Sequence, residues 1–187
     1  SDFDAATKAV AAIARKHGRL DAAVLNAGIQ HRVPLLEWKT EDFQRVIDTN
    51  LTACFVLARE AARAMLPRGS GRIIMTGSIM GIVARPTIHA YISAKAGLAG
   101  LCKSLAVELG PKGINTNVIC PGYFETEMNT ALAQNAEFTA WVNSRVPVGR
   151  WAKPREIGGA AVFLASPAGS YVNGHMLVVD GGMTDMA

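Results

Sequence analysis

No run of apolar residues in this chain approaches the ~20 needed to span a bilayer, and no charged-then-apolar secretory pattern opens it. Neither a membrane helix nor a signal peptide is therefore predicted. Cysteine is scarce: Cys54, Cys102 and Cys120 are far apart and odd in number. They form no Cys-x-x-Cys and no ligand group with His17, His31, His89 or His175. That spacing excludes a disulfide framework and predicts no metal site; reduced core thiols of a cytoplasmic protein are expected. Charged residues, at 18%, fall below the usual ~25%, which argues against disorder and points to buried subunit surface. The net charge of +4 is scattered, with no basic run interleaved with aromatics, so nucleic-acid binding is not indicated. A mild positive bias agrees with a small anionic ligand.

What is present is alternation. The 187 residues suffice for one domain with a real core, and half of them are hydrophobic. An amphipathic helix is predicted from Asp4 to Lys16, ending at Gly18. Ala22 to Gly28, AAVLNAG, reads as a strand buried on both faces of a parallel sheet. Thr40, before Glu41 and Asp42, is the expected N-cap of a helix carrying Phe43, Val46, Ile47, Leu51, Cys54, Phe55 and Ala58. That helix runs up to Pro67-Arg68-Gly69. A strand over Arg72–Thr76 ends in Gly77-Ser78, and an Ala/Gly-rich helix spans His89–Leu109. A strand over Ile114–Ile119 ends in Pro121-Gly122. Helices over Glu127–Arg145 and Pro154–Ala165 lead to a last strand, His175–Val179. Strands alternating with helices give βαβ units and a parallel sheet, whose ligands bind beyond the carboxyl ends of the strands. Asn26-Ala27-Gly28, Gly77-Ser78 and Pro121-Gly122-Tyr123 all sit at such ends.

The chemistry-bearing residues are Ser78, Tyr91 and Lys95. Tyr91 and Lys95 are four apart and share one helix face. An ammonium beside a phenol favours the phenolate and is expected to lower the tyrosine from its reference of about 10. A hydroxyl from a second element, Ser78, would hold a substrate oxygen beside that acid/base. Asn50 lies on the apolar helix face of Val46, Ile47, Leu51 and Cys54, where an amide must be hydrogen-bonded. It reads either as a core asparagine satisfied by backbone or as a fourth site member.

With Asn26-Ala27-Gly28, Asn50, Ser78, Tyr91, Lys95 and Pro121-Gly122 in this order over nearly the whole chain, the sequence resembles the short-chain dehydrogenase/reductase family. The resemblance implies a Rossmann-type three-layer α/β fold, a parallel sheet with helices on both faces, and NAD or NADP as cofactor. It implies Tyr91 as general acid/base and Lys95 as the group that lowers its pKa and binds the nicotinamide ribose. Ser78 would orient the substrate oxygen, and Asn50 would hold a water of a proton relay. Asn26, Ala27 and Gly28 would line the adenine-ribose side, and Pro121, Gly122 and Thr126 the nicotinamide. Bringing a phenol from ~10 to near 7 takes about 4 kcal/mol of differential electrostatics. The helix bearing Tyr91 offers Ala94, Gly97, Ala99 and Gly100 for close approach. The family commonly pairs this helix between subunits, so a homotetramer is expected; packing within the chain is the alternative.

A narrower resemblance lies in NAGIQHRVPLLEW and in the stretch from PGYFETEMN to VVDGGM, which are similar to the gluconate 5-dehydrogenase branch. That branch interconverts D-gluconate and 5-keto-D-gluconate, so a sugar acid is the expected small-molecule substrate. The central strand–helix region fits 3-oxoacyl-carrier-protein reductases nearly as well, and another sugar or polyol is a further alternative. A carboxylate substrate calls for a cation; His31, Arg32, Arg85 and Arg145 are candidates, and Arg85, between Ser78 and Tyr91, is preferred. The family's glycine-rich Thr-Gly-x-x-x-Gly-x-Gly turn, which lets backbone approach a pyrophosphate, does not occur in the sequence. The chain matches the family from just after its third strand, so about 60 residues, with the first strands of the sheet, are expected to be lacking. Strand Ala22–Asn26 would then be an exposed apolar edge. Two readings follow: part of an active dehydrogenase, or a non-catalytic remnant or structural module. The first is preferred, because a remnant need not keep Asn50, Ser78, Tyr91 and Lys95 together.

Overall fold

Capping chemistry marks the first element sharply. In the computed structural model, which describes residues 2–186, helix α1 is Phe3–His17. The Asp2 carboxylate accepts from the Ala5 N–H at 2.9 Å, and Gly18 ends the helix at φ 69°. The following elements are β1 (Ala22–Leu25), α2 (Thr40–Ile47), α3 (Ala53–Met65), β2 (Gly71–Thr76) and α4 (His89–Leu109). Then come β3 (Ile114–Pro121), α5 (Thr130–Ala133), α6 (Ala136–Arg145), α7 (Gly158–Ala165) and β4 (Met176–Val179).

The four strands form one sheet in the order β1-β2-β3-β4, every pair parallel. Leu25 stands opposite Met75, Met75 opposite Val118, and Cys120 opposite Val178. Alternation along β2 divides the core. Ile73 and Met75 pack with Ala58, Ala61 and Met65 of α3 and Leu98 and Cys102 of α4. Ile74 turns to the opposite face and meets Ile119 and Leu164, the latter on α7. Each of these fully buried β2 side chains contributes about 1.5–3 kcal/mol. Helices thus cover both faces, the three-layer Rossmann-type arrangement expected. No helix among the described residues is long and apolar enough to cross a membrane.

Several local expectations are corrected. β1 is not buried on both faces; it is an outer strand with Val24 52% exposed, in line with the exposed apolar edge also expected. Thr40 is not the N-cap but the first helical residue; Lys39 precedes it in extended conformation with no side-chain bond. The helix carrying Asn50 is not continuous, because Asp48–Thr52 forms a π-helical turn between α2 and α3. The Glu127–Arg145 helix divides at Asn135, whose side chain caps α6 by accepting from the Phe138 N–H. The first turn of Pro154–Ala165 is a 3-10 helix over Pro154–Ile157.

The turn into β3 needs glycine. Gly113 has φ 78°, and a Cβ there would lie 1.9 Å from the Gly69 carbonyl oxygen. Gly113→Ala is expected to cost more than about 1 kcal/mol in urea unfolding. Gly100→Ala, inside α4 with open space around it, should stabilise by about 0.5–1 kcal/mol.

Candidate active site

The end of β2 builds the first wall. A Cβ on Gly77 would stand 2.5 Å from Val118 Cγ1, so only glycine lets the chain pass β3 there. Its N–H donates to the Ile119 carbonyl at 2.7 Å. Ser78 follows in extended conformation, and its Oγ accepts the Met80 N–H at 3.1 Å, capping a single 3-10 turn, Ile79–Gly81. That turn lies flush on α4: a Cβ on Gly81 would be 2.8 Å from the Lys95 carbonyl oxygen. Ser78 is thereby set beside the first turns of α4.

Tyr91 and Lys95 rise from α4 into the same space. Ser78, Tyr91 and Lys95 are all buried, at 8%, 9% and 3% exposure. The Lys95 ammonium donates to the Thr76 carbonyl at 2.6 Å and sits 5.5 Å from the centroid of the Tyr91 ring. Burial pushes the Lys95 pKa down, opposed by Cys54 and Cys120. Burial also pushes the Tyr91 phenol up, above its ordinary 10.0, against the lowering pull of the Ser78 hydroxyl and Arg32. The expected lowering by Lys95 is thus not the net result in this site: desolvation of the phenolate outweighs the charges that favour it. Cys120, behind Ser78, is held up at about 11 by burial.

Asn50 is fully buried in the π turn. Its Oδ1 accepts the Ile29 N–H at 2.8 Å, and its Nδ2 donates to the Ile29 carbonyl at 2.8 Å. The amide therefore clamps the loop leaving β1, with a backbone partner at each end of its side chain. The π turn makes this possible by adding a residue to the helix, a device frequent at functional sites. A Cβ on Gly28 would approach Asn50 Oδ1 to 3.4 Å and Lys95 Nζ to 3.7 Å, so the clamp adjoins the lysine.

These elements enclose a cleft of about 780 Å³ at the carboxyl ends of the strands. Asn26, Ala27, Gly28, Ser78, Tyr91, Lys95, Pro121, Gly122 and Thr126 all line it, so the expected cofactor residues converge. Asn26 accepts from the Thr76 hydroxyl at 2.9 Å. Gly122 is flush with the β4 exit, where a Cβ would meet the Asp180 Cβ at 2.7 Å. Thr126 is exposed and precedes a 3-10 turn without capping it by its side chain.

A second, smaller pocket of about 60 Å³ opens on the other side of Ser78 and Tyr91. Arg85 lines it, and so do Arg32, Gln30, Tyr123 and Asn129. Arg32 donates to Gln30 Oε1 at 2.6 Å, and its pKa is lowered by burial and by the neighbouring Arg85. Two cations thus face one small space. Of the other candidate cations, Arg145 is exposed and lines neither pocket. His31 is engaged with Trp38, ring centroids 5.0 Å apart, and with Asp42 at 3.8 Å. Tyr123 was legible only as part of a strand-end turn. Thr87, in the loop of Arg85, has φ 74°, and among the described residues it is the one non-glycine with positive φ. Its carbonyl accepts the Val33 N–H at 3.1 Å, tying the two arginine-bearing loops together. Nothing in the residue type signals that strain.

Residues 1–184 match the family model described as enoyl-(acyl carrier protein) reductase. A gluconate 5-dehydrogenase of Gluconobacter oxydans (strain 621H) is 44% identical over 184 residues, covering 98% of this chain and 72% of that protein. A 3-oxoacyl-acyl-carrier-protein reductase of Vibrio cholerae is 40% identical, covering 92% of this chain and 70% of its own length. The crystal structure of a gluconate 5-dehydrogenase from Burkholderia cenocepacia J2315, in complex with NADP and tartrate, superposes with a TM-score of 0.94 at 41% identity. It is matched over 97% of this chain and 71% of that one.

Two outcomes follow from the geometry. Asn50→Ala leaves both polar groups of Ile29 without their side-chain partner and should cost about 1–3 kcal/mol in chemical denaturation. In ultraviolet titration of the cofactor-free protein, the phenolate signal lost in Tyr91→Phe should appear above pH 10.0. The stability linked to that raised pKa is complete below the unfolded value and is lost as pH rises through the higher folded value.

Proposed function

The chain belongs to the short-chain dehydrogenase/reductase family of NAD(P)-dependent oxidoreductases, and we propose that it interconverts a secondary alcohol and a ketone on a sugar acid, D-gluconate and 5-keto-D-gluconate. The observation that carries this reading is the pair Arg32 and Arg85 in a small pocket whose wall is Ser78 and Tyr91. A guanidinium pair suits a carboxylate, while the hydroxyls of Ser78 and Tyr91 suit the reacting oxygen. Similarity to the Gluconobacter oxydans enzyme supports the same choice.

In this reading Tyr91 is the general acid/base, taking the alcohol proton in one direction and returning it in the other. Ser78 hydrogen-bonds the same oxygen and fixes its distance from the phenol. Lys95 stabilises the phenolate as it forms; one of its three N–H donors goes to Thr76, leaving two for ribose hydroxyls. The residues fit the nicotinamide end of the cofactor: a buried ammonium lies at one side of the cleft and the flush Pro121-Gly122 turn at the other. Asn26, Ala27 and Gly28 would line its adenine-ribose side, and Thr126 its carboxamide. NAD(P), when bound, supplies or accepts the hydride. Asn50 acts through its clamp on Ile29, and one lone pair and one N–H remain on its amide for a relay water. Exposed Phe55 on α3 and Val107 on α4 support pairing with further copies in a homotetramer, although Gly97 is taken up within the chain by Leu51.

The 3-oxoacyl-carrier-protein reductase reading keeps support from the Vibrio cholerae relative. A panel of gluconate, other polyols and a 3-oxoacyl thioester, run with each nicotinamide cofactor, separates the two. Gluconate should be the best substrate, and Tyr91→Phe should lower its turnover by roughly 10²–10⁴-fold. Full activity in Tyr91→Phe would overturn the mechanism. Arg85→Ala should raise the gluconate KM by at least about tenfold.

A further inference from the structure

Arg85 does not reach its pocket unaided. Its Nη1 donates to the Tyr123 hydroxyl at 3.3 Å, and its guanidinium carbon lies 5.0 Å from the centroid of the Phe138 ring. Tyr123 follows β3 and lines the small pocket, while Phe138 belongs to α6. Tyr123 is itself wedged edge-on by three rings, with centroids 5.7 Å away at Phe138, 6.0 Å at Trp141 and 5.2 Å at Trp151. The seat is therefore packed by rings on three sides, whereas the loop it holds is thinly covered: Arg85 sits between exposed Ala84 and Pro86 and near the strained Thr87. A guanidinium is planar and weakly hydrated, so an aromatic face and a phenolic oxygen can fix its plane while leaving N–H donors for a ligand. An arginine fixed before binding loses less rotamer freedom when a carboxylate arrives.

We infer that Tyr123 and Phe138 are positioning residues that hold the Arg85 guanidinium on the pocket wall, so that selection of carboxylate-bearing over uncharged polyol substrates is governed from the exit of β3 and from α6. The inference rests on the sugar-acid reading above.

The test uses the native enzyme and two variants, Phe138→Leu, which keeps apolar volume but removes the ring face, and Tyr123→Phe, which keeps the ring but removes the acceptor. Each should raise the gluconate KM about fivefold, more than it lowers kcat. The inhibition constant of sorbitol, an uncharged polyol of the same length, should move far less. In an Arg85→Ala background neither variant should add a further rise. Should Arg85→Ala itself leave the gluconate KM unmoved, the sugar-acid role of Arg85 fails first. A KM raised by Arg85→Ala but by neither seat variant overturns the inference alone. So does an equal loss for gluconate and sorbitol, or a rise that persists without Arg85, because either marks general packing of α6.

Discussion

The site depends on a two-way amide clamp. Asn50 takes the N–H and the carbonyl of one residue, Ile29, with both ends of its side chain. An amide in an apolar setting is costly unless both ends are satisfied, and the backbone leaving β1 supplies a matching donor and acceptor. The clamp fixes the course of Gly28, and through it the side of the cleft next to Lys95. It also starts the loop that delivers Gln30 and Arg32 to the second pocket. One residue inside a π turn thereby ties down the segment that runs from the large cleft to the small one.

Around that frame the electrostatics are held out of balance. Lys95 and Tyr91 are both buried, and burial favours the neutral form of each. The charged forms, ammonium and phenolate, are those the surroundings penalise. Ser78 and Arg32 already pull the phenol the other way. A further positive charge brought close to the ring moves it in the same direction, and exclusion of water strengthens each such interaction.

Much of this was legible in the residues. The alternation of apolar runs with helical periods located all four strands and the long helix α4, whose bounds agree to the residue. Strand-end glycines marked the cleft because turns and close backbone approach need them, as Gly77 and Gly122 illustrate. Other features were not legible, for physical reasons. The π turn leaves no mark in the residue pattern, since Asn50 lies on the apolar face whether the helix is regular or widened. The direction of the Tyr91 shift is a contest between burial and charge, and only the depth of the side chain decides it. Arg85 could be chosen by its place between Ser78 and Tyr91, but the rings that hold it come from beyond β3.

Thr87 carries a consequence for how this protein could be altered. A β-branched residue at φ 74° is held there against a preference of order 1–3 kcal/mol. Glycine or asparagine would relax the backbone, and selection for thermal resistance would reach for such a change early. The same relaxation would widen the range of shapes open to the Arg85 loop. Heat tolerance and a fixed course for the Arg85 loop are thus set against each other at a single residue.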